Sequence, residues 1–86
     1  MTADDIHARL QAALTPTALQ VNDDSHLHAG HAGAREGRHF SVQICSARFA
    51  GLSRVARHRL VYDALGPLAG QGIHALALVT RAPGEG

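Results

Sequence analysis

The stretch "HFSVQICS", residues 39–46, alternates without a break: Phe40, Val42 and Ile44 take one side, and Ser41, Gln43 and Cys45 the other. A period of two over that length is the mark of a half-buried strand. A helical segment follows, with Ser53 placed to cap it and Val61, Ala64, Leu65 and Leu68 forming its apolar stripe. Then comes a second strand-like run, "IHALALVT", residues 73–80. A strand, a helix and a strand in one sheet imply a crossover that makes the two strands parallel, and right-handed in nearly all known cases. Few topologies accommodate such a unit in 86 residues, which is the length of one domain. A domain of this size buries only about 60–65% of its surface and has little stability to spare.

The remaining segments complete the fold. Thr2 and Asp5 have the spacing of a capping box, and Asp4 and Asp5 suit a helix N-terminus. Ile6, Leu10, Ala13 and Leu14 form one helical stripe, and Pro16 ends that helix. "ALQVND", residues 18–23, reads as a short strand with Leu19 and Val21 on one face. It pairs antiparallel with residues 39–46 across a loop. "RFAGLS" reads as a turn and "RAPGEG" as a frayed tail. The expected architecture is α+β, in the order helix, strand, strand, helix, strand. A mixed three-stranded sheet carries both helices on one face, as a single domain over residues 1–86. With no Trp and only Phe40, Phe49 and Tyr62 as aromatics, the core falls to Leu, Val, Ile and Ala.

The loop raises the functional question. Residues 25–38 show no periodicity and contain three glycines together with His26, His28 and His31. Structureless loops of that length are uncommon in small domains and tend to be functional or disordered. The topology adds a fifth imidazole to the three in the loop and to His39 just beyond it. Parallel strands start at one end of a sheet, so His74 is expected beside the place where the loop ends. The other histidines have plainer readings: His7 as a solvated surface residue, His58 as a packed helix residue, and His39 as a partner across the hairpin.

Composition narrows the function classes. The single cysteine, Cys45, permits no internal disulfide, which fits a reducing compartment. It has no basic neighbour in view and reads as an inert filler. No apolar run approaches the ~18 residues of a membrane span. The N-terminus has neither the apolar core of a signal peptide nor the acid-poor composition of a transit peptide, so a cytosolic protein is expected. No paired catalytic carboxylates and no nucleophile with its base are apparent, so no enzyme is expected. The net charge is +1, from eight arginines and no lysine against seven acids. This gives little long-range attraction for nucleic acid. Carrying the stripe of the second helix backwards lands on His58, Arg57 and Arg54, so either the helix enters at an angle or its first turn faces something other than the core. Cations there oppose the helix dipole, so Arg54, Arg57 and Arg59 answer to something outside the helix, such as phosphate or a partner surface.

Three blocks carry a family resemblance. "FAGLSRVARHRLVYDAL" followed by "GIHALAL" strongly resembles the BolA family, and "DDSHLHAGHAG…RHF" is similar to that family's first hairpin. The resemblance covers residues 3 to 83, and the paired "RHRLVY" and "HALAL" blocks are its specific part. It implies a fold like that of class II KH domains. It also implies a partner, a monothiol glutaredoxin, with which a two-iron two-sulfur cluster is shared. The glutaredoxin and glutathione give thiolates, and the BolA-like chain gives the histidine of the "HAL" block, here His74, and a loop ligand. By its place in "SHLHAG" the loop ligand here is His28. The loop has no cysteine, so the chain resembles the histidine-type branch. It departs from the pattern in its extra imidazoles His26 and His31, which stand as auxiliary ligands.

Elementary chemistry agrees with such sharing. One cysteine cannot hold an iron–sulfur cluster, so none is expected in the isolated protein. Neutral imidazoles could complete a cluster at one iron, raise its reduction potential and make it pH-sensitive. A closed zinc site from His26, His28 and His31 fits less well, because structural zinc sites usually include cysteine. The competing class is a KH-like nucleic-acid-binding transcriptional regulator, binding DNA through Arg54, Arg57 and Arg59 at the "GLSR" turn. That turn lacks the second glycine of a GXXG clamp, and the scarcity of aromatics counts against base stacking. Whether the free protein is a monomer or a weak homodimer is left open by the sequence.

Overall fold

The computed structural model describes residues 2–24, 38–67 and 73–85, with residues 38 and 73–75 described as backbone. The order is α1 (Ala3–Leu14), β1 (Ala18–Asp23), β2 (Arg38–Cys45), a short 3₁₀ helix (Ala47–Phe49), α2 (Arg54–Leu65) and β3 (Ile73–Arg81). The expected order therefore stands, with strand ends moved by about one residue. The histidine loop, apart from Arg38, and Leu68 lie outside the described residues.

Local chemistry starts and stops each helix. At α1 the Thr2 backbone N–H donates to the Asp5 carboxylate at 2.8 Å, and the Asp5 N–H donates to the Thr2 hydroxyl at 3.2 Å. This reciprocal pair is the capping box read from the sequence. The helix closes at Thr15, which takes the left-handed conformation (φ 40) immediately before Pro16. At α2 the Ser53 hydroxyl accepts from the Ala56 N–H at 3.2 Å. Its far end is held by α1: the Arg9 guanidinium donates to the Leu65 carbonyl at 3.0 Å.

The sheet order is β1-β2-β3, with β2 antiparallel to β1 and parallel to β3. Leu19 pairs with Ile44 and Val21 with Val42, while Phe40 pairs with Leu76 and Val42 with Leu78. One face of all three strands is therefore apolar. Phe40, Val42 and Ile44 are buried there against Ile6, Leu10, Leu14, Val61 and Leu65, so both helices cover that face. The other face carries Gln20, Gln43, Cys45 and Val79.

Three expectations need correction. Ala13 is exposed, and Ala3 packs against the core in its place. The α1 stripe thus runs 3, 6, 10, 14, a narrow seam that suits packing against a flat sheet and one neighbouring helix. The "RFAGLS" segment is more than a turn, because its 3₁₀ helix carries Phe49 to 0% exposure. A core poor in large side chains gains most from one of its few aromatics. The C-terminal tail is not frayed: Ala82 is buried, and the Glu85 N–H donates to the Ala82 carbonyl at 3.1 Å.

Ser46, one residue past β2, is the one buried polar side chain among the described residues. Its hydroxyl donates to the Leu14 carbonyl at 2.7 Å and accepts from the Arg48 N–H at 3.1 Å. It therefore satisfies an orphan carbonyl at the end of α1 and starts the 3₁₀ helix. Replacing Ser46 by alanine leaves that carbonyl buried and unpaired, so Ser46→Ala is expected to destabilise the fold by about 1–3 kcal/mol. Urea unfolding should show a lowered midpoint with an unchanged slope.

Candidate functional site

Two regions hold the residues singled out from the sequence, and they lie towards opposite ends of the sheet. The first is the end where β2 and β3 begin. Asp23 pairs with Phe40, and the Asp24 N–H donates to the His39 carbonyl at 2.7 Å, so the chain leaves the sheet beside His39. It re-enters at Arg38. On the other side of β2, Arg38 pairs with Ile73 and His39 with Ala75, so the register slips between them and leaves His74 as the extra residue of β3. The backbone of His74 therefore stands beside the return of the histidine loop at Arg38 and His39, one strand away from its exit at Asp24, at the sheet end expected from the parallel pairing. His26, His28 and His31 themselves lie outside the described residues.

No thiolate stands at this end of the sheet. Cys45 is at the far end of β2, paired with Ala18 and Arg81. It lies six positions from His39, about 20 Å along a strand. Among the described residues no group of three or more His, Cys, Asp or Glu side chains is placed to hold a metal ion. A metal centre here needs the loop, a partner, or both.

The second region is the start of α2. Arg54 and Arg59 are exposed, and His58 is half-buried. Arg57 is different: its side chain is only 12% exposed and is held from two directions. Nη1 and Nη2 donate to the two carboxylate oxygens of Glu85 at 2.6 and 2.7 Å, and Nε donates to the Leu52 carbonyl at 3.0 Å. Glu85 also accepts from the Ala82 N–H at 3.0 Å. The Arg57 guanidinium, followed by that N–H, holds the Glu85 carboxyl down to about 2, and the same hydrogen bonds raise Arg57 above its usual range. Of the three arginines read as contacts for phosphate or a partner, Arg57 is thus committed within the chain. Sequence reasoning missed its partner because they are far apart in the chain. The available signal was that Glu85 is the only acid after Asp63.

The chain matches the profile of the family described as BolA-like protein over residues 10–85. The chain belongs to the BolA family. This BolA chain is 45% identical over 85 residues to a Sinorhizobium protein from the cobS 5′ region, covering 95% of this chain and 91% of that one. It is 41% identical over 80 residues to human BolA-like protein 1, covering 93% of this chain but 57% of that longer protein. The solved structure of BolA1 from Arabidopsis thaliana superposes with a TM-score of 0.84 at 41% identity, covering 100% of this chain and 96% of that one. The helix, strand, strand, helix, strand order is therefore a BolA fold. No helix among the described residues is long and apolar enough to cross a membrane.

The Arg57–Glu85 clasp makes a prediction about acid. A carboxyl whose pKa is depressed in the folded state adds stability that is present above its unfolded value and is lost as pH falls through the folded one. For Glu85 that window runs from the usual 4.5 down to about 2. An NMR titration of its side-chain carboxyl carbon should give a midpoint near 2. In Arg57→Gln the midpoint should return towards 4.5, and the loss of stability between these pH values should become shallower.

Proposed function

We propose that this chain is a non-enzymatic BolA adaptor that binds a monothiol glutaredoxin with glutathione and shares a two-iron two-sulfur cluster with it. Its role would lie in iron–sulfur trafficking or iron and redox regulation in the cytoplasm. The observation that carries the reading is the β2–β3 register, because it sets the His74 backbone beside the residues where the loop that holds His28 returns to the sheet, at the same sheet end as the loop's exit. His74 and His28 would be the ligands from this chain, with His26 and His31 as auxiliaries. The remoteness of Cys45 supports sharing, since the thiolates must then come from elsewhere. When bound, the cluster supplies redox and transfer chemistry; the chain supplies neutral imidazoles, whose protonation releases their hold. The element order supports a class II KH-like description, with residues 1–86 acting as one domain. A KH-like DNA-binding regulator is the weaker reading, because the Glu85 pair leaves fewer arginines for phosphate.

The two ligands should not contribute equally. His74 sits on backbone ordered by the sheet, whereas each loop residue fixed on binding costs roughly 1–2 kcal/mol of conformational entropy. His26 and His31 are near enough in sequence to substitute for His28. His74→Ala should abolish the mixed cluster's visible circular dichroism or convert it to that of a glutaredoxin homodimer. His28→Ala should only alter it, and the triple replacement of His26, His28 and His31 should match the His74 defect. Far-ultraviolet spectra should stay unchanged in every variant. An unaltered cluster spectrum in His74→Ala would sink the shared-ligand mechanism.

A further inference from the structure

Between the start of α2 and β3 lies an open cleft of about 540 Å³, walled by Leu52, Arg54, Arg57 and His58 on one side and by residues 78–80 on the other. β3 is the last strand of the sheet, so among the described residues no strand runs along its outer side. Proteins usually blunt such an edge with charges, proline or a bulge. Here nine residues, "IHALALVTR", carry no proline, their one arginine comes at the very end, and the one register slip is at His74, four positions before the stretch that lines the cleft. Aliphatic side chains are exposed in the cleft beside that edge: Val79 is 49% exposed and Leu52 is 37% exposed.

Charge narrows the ligand further. Among the described residues no carboxylate lines the cleft, and the Arg57 charge is already met by Glu85. Arg54 makes no ion pair among the described residues. It stands in the first turn of α2, which holds no acid, so its charge and the positive end of the helix dipole add in one place. An arginine there weakens its own helix, and an anion arriving from outside would reverse that cost.

We infer that this cleft takes an extended acidic peptide segment of a partner protein, added as a fourth strand on the outer edge of β3. Main-chain hydrogen bonds to β3 would give the affinity, and alternate side chains the specificity. Side chains on one face of the added strand would bring carboxylates to Arg54 and the start of α2. Those on the other face would pack on Val79. Nucleic acid suits the cleft less well, because no aromatic among the described residues lines it: Phe40 and Phe49 are in the core, and the exposed Tyr62 is not among the lining residues. The inference does not rest on the cluster reading. Residues 78–80 lie four to six positions past His74, about 13–20 Å along the strand, and the test contains no iron.

The test uses the full chain labelled with ¹⁵N and a synthetic heptapeptide alternating glutamate and valine, acetylated and amidated. Saturable shifts of the amide signals of residues 53–57 and 78–80 are expected. A lysine–valine counterpart should leave them unmoved. N-methylation of alternate peptide bonds should abolish binding, because strand addition needs those N–H groups and simple charge attraction does not. Arg54→Glu should weaken binding about tenfold or more, with its far-ultraviolet spectrum and thermal midpoint as folding controls. The inference is overturned by any of four results: no saturable shift at millimolar peptide, equal binding of the N-methylated peptide, wild-type affinity in a folded Arg54→Glu, or binding of a deoxythymidine octamer at these residues in place of the peptide.

Discussion

Everything in this molecule is referred to β2, the one strand hydrogen-bonded on both sides. Its alternation decides which face of the sheet is apolar. The two registers then transmit that choice, placing Leu19 and Val21 on one side and Leu76 and Leu78 on the other on the same face as Phe40, Val42 and Ile44. A slip of one residue in either pairing would turn a whole strand inside out. The core has few large side chains, so such an error could not be offset elsewhere. The same strand sets the site, because the slip between Arg38 and His39 is what leaves His74 as the extra residue at the head of β3.

Around this frame the polar contacts fasten segments that the core alone would leave loose. Ser46 ties the end of β2 to the end of α1, Arg9 ties α1 to α2, and the Arg57–Glu85 pair ties the start of α2 to the tail beyond β3. Each joins residues at least 28 positions apart in sequence. For a domain with so small a core, fixing its connections is as consequential as burying area. The clasp also fixes the shape of the α2–β3 cleft, since Arg57 holds the Leu52 carbonyl and Glu85 together on one side of it.

The two functional regions divide along β3. Its first residues stand beside Arg38 and His39, where the loop that carries the histidines returns to the sheet. Its last residues meet α2, where, among the described residues, the strand edge has no pairing strand and a cation stands beside it. On the two proposals made above, the separation would let one short strand address a cluster at one end and a protein segment at the other without competition for the same atoms.

Periodicity, capping and crossover topology are local or nearly local, and they were legible in the residues themselves. Thr2 with Asp5, the alternation of residues 39–46, and the parallel pairing forced by a helix between two strands all follow from steric and hydrogen-bonding rules within a few residues. The "HAL" block and its companion carried the family in the same way. The contacts of Ser46, Phe49 and Glu85 were not legible, and neither was the exposure of Ala13. Each depends on which distant groups arrive at the same point in space: a helix's last carbonyl for Ser46, a gap in the core for Phe49, a guanidinium for Glu85. A sequence pattern reports the environment a residue prefers. Only the packed chain supplies the partner, because burial and pairing are properties of two surfaces brought together and not of either one alone.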